Sequence, residues 1–271
     1  MVFIDTHCHL DASEFDANRA SEIAEAAAHN VQIMVIPAVH SSNFELVSQI
    51  AQQNPSCVHA LGIHPMYVNQ SSTEDLQVLT KLIESQIQTE RPPVAIGEIG
   101  LDFFVEGFDK AKQEFFFAEQ LKLAKQFELP VILHVRKSID DILKHLRQHR
   151  VTGGIAHAFN GSLQQAEQFI ELGFKLGFGG ALTYSRALKI RELVCTLPLE
   201  AIVLETDAPD IPPAWLEKSE KNSPKQVVKI AEEIALLRRI PCSQVAEITT
   251  KNSMQILPKM AKLFTRPQVL H

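Results

Sequence analysis

The sequence is poor in several features that would have settled its class at once. It has 4 cysteines, Cys8, Cys57, Cys195 and Cys242, and no two form a CxxC pair. That speaks against a disulfide scaffold or a zinc ribbon and fits a reducing compartment. Basic residues do not predominate: 26 Lys and Arg stand against 32 Asp and Glu, a formal charge of -6. A protein that coats nucleic acid through a broad basic face is disfavoured, although an enzyme that handles it transiently is not. No apolar run approaches the ~18 residues of a membrane span. No glycine-rich turn follows the first apolar run, as a dinucleotide-binding sheet would require. Gly (11) and Pro (14) are too few for a low-complexity chain. The opening residues, MVFIDTHCHLD, lack a basic leader and carry charge too early for a signal peptide. The expectation is a cytoplasmic chain with no membrane and no evident obligate protein partner.

What the sequence does have is alternation. Short β-rich apolar runs recur at 2–6, 31–37, 57–62, 94–97, 131–133, 154–156, 174–178 and 201–204. Helical patterns fall between them at 14–29, 44–54, 73–89, 110–128, 139–148, 163–172 and 187–197, and two more, 224–238 and 243–264, follow the last. The strand runs are continuously apolar, as strands buried on both faces of a parallel sheet are. This is the count of a (β/α)8 TIM barrel, an α/β fold, formed as a single domain over residues 1–271.

Polar residues that can bind metals fall where those runs end. His7 and His9 follow the first, His64 the third, Glu98 the fourth, His134 the fifth, His157 the sixth and Asp207 the eighth. The C-terminal rim of the strands is where barrel enzymes place their sites. In extended chain the i, i+2 spacing of His7 and His9 turns both imidazoles to one side and Cys8 to the other. Asp5 and Asp11 flank the pair and are candidates to fix a ring tautomer. Glu98, between two glycines, has two oxygens and can bridge two cations ~3.5–4 Å apart. Asp102 reads as support rather than as a ligand. A histidine after an apolar strand is usually packed or solvated, but His134 and His157 in successive units beside the others form a pattern. Asp207 ends IVLETD and suits a metal ligand that also serves as the base for metal-activated water. Glu205 in the same run reads as a buried support or a competing ligand. There is no nucleophile-elbow sequence, so catalysis by a serine triad does not compete.

The runs FIDTHCHLD, HALGIHP, VAIGEIGLDFF, LPVILHVRK, GGIAHAFNGS and IVLETDAPDIPP, in this order, resemble the signatures of the TatD family of metal-dependent hydrolases, within the amidohydrolase superfamily. LETDAPD and the proline-rich loop after it are most similar to the YjjV-like branch. The resemblance implies a two-metal site. His7, His9 and Asp207 would hold one cation, His134 and His157 the other, and Glu98 would bridge them. Zn, Mn, Ni, Fe or Mg are the candidate metals, with Mg the poorest match to a histidine-rich set. The family implies a deoxyribonuclease or phosphodiesterase. The alternative is a metal-dependent ester or amide hydrolase acting on a small molecule or on D-aminoacyl-tRNA. DNA or tRNA would then be a transient substrate. Two departures bear on this: Ala158-Phe159-Asn160 follows His157, and Asp210 stands where an aromatic often follows, which removes one surface for stacking a base.

Candidates for holding substrate are Arg136, whose guanidinium suits phosphate or carboxylate, His64 and Asn160, with Tyr184 behind them. Lys218, Lys221 and Lys225, in or after the long loop that follows the last strand, read as a solvated face.

Overall fold

The computed structural model describes residues 1–217 and 219–264; Lys218 lies outside the described residues. Eight parallel strands form one sheet in sequence order. They are β1 (Phe3–Asp5), β2 (Val31–Pro37), β3 (Cys57–Leu61), β4 (Ala95–Asp102), β5 (Val131–Arg136), β6 (Gly154–Ala156), β7 (Phe174–Phe178) and β8 (Ile202–Leu204). The helices between them are α1 (Arg19–Ala28), α2 (Phe44–Gln53), α3 (Thr73–Gln86), α4 (Lys110–Gln126), α5 (Ile139–Gln148), α6 (Leu163–Glu171) and α7 (Leu188–Thr196). After β8 come α8 (Val227–Arg238), α9 (Cys242–Ile256) and α10 (Pro258–Phe264). This is the (β/α)8 TIM barrel. The ring closes between its first and last strands: Thr6 N–H donates to Leu204 O at 2.9 Å and Asp207 N–H to His7 O at 2.9 Å. No described helix is long and apolar enough to cross a membrane.

Side-chain alternation along the strands builds two layers. Ile4, Ile33, Val35, Val58, Ala60, Ala95, Ile132, Ile155 and Val203 form one buried cluster, joined by Ile256, Leu257 and Met260 from the end of the chain. The opposite residues, such as Met34, Ile36, Leu133, Leu176 and Leu204, are buried in a second cluster with the helices. The same alternation carries Ile132 on to His134 and Ile155 on to His157. Apolar side chains fill the barrel, and polar ones are left for its C-terminal mouth.

Four expected boundaries move, for local reasons. β4 continues through Glu98 to Asp102 because pairing with β5 resumes beyond a register shift between Ile96 and Ile99. β5 accordingly runs on through His134 to Arg136. Gly100 makes this approach possible: with φ at +146°, a Cβ there would lie 2.1 Å from His134 O. The expected last helix is two, divided at Leu257 ahead of Pro258, whose ring cannot continue the ladder. The expected first helix begins only at Arg19, after a 3-10 turn over Ser13–Phe15.

One buried imidazole away from the mouth makes stability depend on pH. His59 Nε2 meets Gln86 Oε1 at 2.9 Å, and burial lowers its pKa to about 4. Between pH 6.5 and 4 the unfolded chain binds this proton and the folded chain does not. His59 thus contributes stability that is full above about pH 6.5 and lost as pH falls through 4. The loss is about 3 kcal/mol, at 1.36 kcal/mol per unit. Urea unfolding of His59→Gln at pH 7 and pH 4.5 should show a flatter acid limb than the parent; parallel limbs would contradict the assignment.

Candidate metal centre

The site is assembled around one carboxylate. Glu98 is buried, and its two oxygens face different partners. Oε2 lies 3.2 Å from His7 Nε2 and 3.5 Å from His9 Nε2. Oε1 lies 3.0 Å from His134 Nδ1, 3.3 Å from His157 Nε2 and 3.3 Å from His64 Nε2. Asp207 Oδ1 completes the first side, 3.4 Å from His7 Nε2 and 3.6 Å from His9 Nε2. Asn160 is exposed on the rim; its carbonyl accepts from Lys189 Nζ at 3.3 Å, and its side chain is not brought into the cluster. Arg136 is exposed at the end of β5.

The remaining ring nitrogens decide which atoms are free to bind a cation. His134 is held between two carboxylates, with Nε2 2.9 Å from Asp102 Oδ2 and Nδ1 3.0 Å from Glu98 Oε1; a proton on Nε2 would leave the Nδ1 lone pair for a cation. His157 Nδ1 lies 3.5 Å from Glu205 Oε1, which also accepts the Ala158 N–H at 2.6 Å. His9 Nδ1 lies 3.9 Å from Asp11 Oδ1. Of the three, Asp102 is within hydrogen-bond distance and fixes its ring, as partners of metal-bound histidines do, while Glu205 and Asp11 stand behind theirs without a hydrogen bond. Asp5 does not act on a ring as expected. It accepts from His7 N–H at 3.2 Å, Thr206 N–H at 3.0 Å and Thr206 Oγ1–H at 2.5 Å, which fastens β1 to the segment after β8. Distance alone groups His64 with Glu98 and His134. Its Nδ1, however, accepts the Met66 N–H at 3.1 Å. The neutral ring therefore carries its proton on Nε2 and is a donor toward the site, with no lone pair there for a metal.

The donor set fits a cation on this structure's own geometry. His7 Nε2 and His9 Nε2 face each other at 3.2 Å. Together with Glu98 Oε2 and Asp207 Oδ1 they give contacts of 3.2, 3.2, 3.4, 3.5 and 3.6 Å. A tetrahedral cation with bonds of ~2.0–2.1 Å has ligand–ligand edges of about 3.3–3.4 Å. Electrostatics show the same crowding. Burial, with His157 beside it, lowers the His7 pKa well below normal. Burial also lowers His64, to about 4. It opposes charge on His9 and His157 too, but the carboxylates around them prevail, lifting His9 to about 9 and His157 well above its usual value. Burial would raise Glu98, yet the surrounding imidazoles hold it well below the carboxylate range. Burial raises Asp207 to about 6.

Removing the carboxylate behind His134 should loosen the centre without removing a ligand. Asp102→Asn is expected to cost about 10–100-fold in metal affinity, measured by chelator competition, with the circular dichroism spectrum kept. Affinity equal to the parent's would show that Asp102 does not orient the ring.

A TIM barrel with an imidazole–carboxylate cluster at its C-terminal mouth has the amidohydrolase-like fold and the donor set of a metal-dependent enzyme. A family model described as TatD related DNase matches residues 4–258. The uncharacterized metal-dependent hydrolase YjjV of Escherichia coli is 39% identical over 254 residues, covering 93% of this chain and 96% of the relative. A YjjV crystal structure superposes with a TM-score of 0.89, at 38% identity, covering 94% of this chain and 98% of that one. The deoxyribonuclease TATDN3 of Homo sapiens is 32% identical over 274 residues, covering 97% of each. The chain is a member of the TatD family of metal-dependent hydrolases.

Phe104 escaped the sequence reading. It lies 52% exposed in the loop after β4, and its partners come from the end of β5, so no local pattern marks it.

Proposed function

We propose that this chain is a two-metal phosphodiesterase acting on DNA. The observation that carries the reading is the division of Glu98: one oxygen faces His7 and His9, the other His134 and His157. Such a carboxylate suits a pair of cations, which supply a lowered pKa for bound water and neutralise charge on a phosphoryl oxygen. His7, His9 and Asp207 would hold one, His134 and His157 the other.

The chain's own residues supply the rest. Asp207 is 9% exposed at the mouth, and its second oxygen would be free to accept a proton from bound water. His64 presents Nε2–H to an oxygen in the site, held by the backbone of Met66. Asp102 keeps the ring of His134 in place, and Glu205 sets a negative charge 3.5 Å behind His157. The relative named a deoxyribonuclease supports DNA as the substrate class.

The test is a panel offered to metal-reconstituted protein: single-stranded DNA, a chromogenic phosphodiester and a D-aminoacyl-tRNA, with Glu98→Ala as control and metal content measured by mass spectrometry. Cleavage of DNA or the diester that depends on Glu98 supports the proposal. Cleavage of the aminoacyl ester alone would replace it with the ester-hydrolase alternative.

A further inference from the structure

Beside the metal centre stands a small built surface that the hydrolytic machinery does not use. The Arg136 guanidinium carbon lies 3.9 Å from the centroid of the Phe104 ring, and Lys137 Nζ lies 4.8 Å from the same centroid. Neither cation makes an ion pair among the described residues. Lys110, over the neighbouring Phe103 ring at 4.6 Å, is different: it is already neutralised by Asp141 at 3.0 Å and Glu114 at 3.7 Å. Arg136 also acts on the Asp102 carboxylate without a direct ion pair, and two cations held against one exposed ring make a prepared anion site rather than a solvated face.

Hydrogen bonds tie the surface to the barrel. Asp102 Oδ1 accepts from Phe104 N–H at 2.9 Å and Val105 N–H at 3.3 Å, which turns the loop so that the ring faces Arg136. Phe103 N–H donates to Arg136 O at 3.0 Å. Ser138 Oγ–H donates to Leu101 O at 2.6 Å, pinning the turn from β5 into α5. Lys137 sits at φ 53°, a left-handed conformation that a non-glycine residue adopts at a cost. Asp102 thus binds His134 through one oxygen and the shelf through the other.

Position gives the shelf its ligand. Arg136 stands two residues beyond His134 on β5 and on the same face, about 7 Å further toward the solvent. A substrate that has one anionic group at the metal centre and a second on the shelf must repeat its negative charge at that spacing. A nucleic acid strand does so. Resting on the phosphodiesterase reading, we infer that Phe104, Arg136 and Lys137 form the subsite for the phosphate next to the scissile one. The guanidinium fork and the ammonium bind its oxygens, and the exposed part of the ring packs against the attached base.

The experiment uses the full chain loaded with metal and three thymidine dinucleotides: one without a terminal phosphate, one phosphorylated at the 5′ end and one at the 3′ end. One terminal phosphate is expected to raise kcat/KM at least about tenfold, the value of one good charged contact. The gain should appear mainly in KM. It should vanish in Phe104→Ala and Lys137→Gln and survive in Phe104→Trp. In a second measurement, a fluorescent oligothymidylate is titrated into the full chain without added metal. There, Lys137→Gln should lower the slope of log affinity against log salt by about 0.7, one single-strand phosphate contact. A gain that persists in both variants, or no gain from either phosphate while the plain dinucleotide is cleaved, overturns the subsite but leaves the phosphodiesterase reading standing. If neither the dinucleotides nor single-stranded DNA and the chromogenic diester are cleaved, that reading fails. The titration then decides the shelf alone: binding equal in parent and Phe104→Ala overturns it, and a tenfold loss supports it.

Discussion

Glu98→Gln is expected to lower hydrolysis by about a thousandfold or more: on the two-metal reading, the cations that this carboxylate would bridge contribute several kcal/mol to the transition state at 1.36 kcal/mol per tenfold. The amide keeps the shape of the side chain but removes the charge around which His7, His9, His134 and His157 are arranged. Its NH2 group would face imidazole nitrogens on one side with no lone pair to offer. Metal content should fall together with activity. Because Glu98 is buried, structural integrity needs its own check: near-ultraviolet circular dichroism should match the parent. Full activity in this variant, with metal still bound, would place the reacting centre elsewhere in the barrel.

Asp207→Asn should separate two roles that Glu98→Gln removes together. The asparagine oxygen can still occupy the position of Oδ1, 3.4 Å from His7 Nε2 and 3.6 Å from His9 Nε2. What it cannot do is accept a proton. The rate should fall about 100- to 10,000-fold, the range of general acid–base catalysis, while metal content falls less than in Glu98→Gln. The pH profile is the sharper readout: an acid limb that belongs to Asp207 in the parent should be gone in the variant, and an unchanged limb would assign it to another group.

The parts of this centre that could be read from sequence are those fixed by the strand register. His134 and His157 each follow an apolar run whose alternation continues into the imidazole, so LPVILH and GGIAH place them directly. His7 and His9 are equally local. The rest depends on chain segments that meet only in three dimensions. Asp5 is two residues from His7, and proximity in sequence pointed to a ring contact; its side chain instead reaches Thr206. The strand through Glu98 could not be followed past VAIG, because glycines interrupt the apolar pattern, and only the pairing of Gly100 with His134 shows that it continues. The role of His64 turned on a single backbone N–H, that of Met66. Phe104 gains its meaning from Arg136 and Lys137, residues more than thirty positions away.

The seam between β1 and the segment after β8 has a consequence for how the protein comes into being. His7 and His9 come before the second strand and Asp207 after the eighth, joined by Thr6 to Leu204, Asp207 to His7 and Asp5 to Thr206. The ligand set proposed for one cation would therefore not exist in a nascent chain that has emerged only through β7. It forms when the last strand docks, a contact of high sequence separation whose loop-closure entropy makes it a late event. A cation held by His7, His9 and Asp207 together would select for the closed ring over every open intermediate, by mass action on that state alone. Metal supply would then act during maturation as well as turnover, as a latch set by the final step of folding.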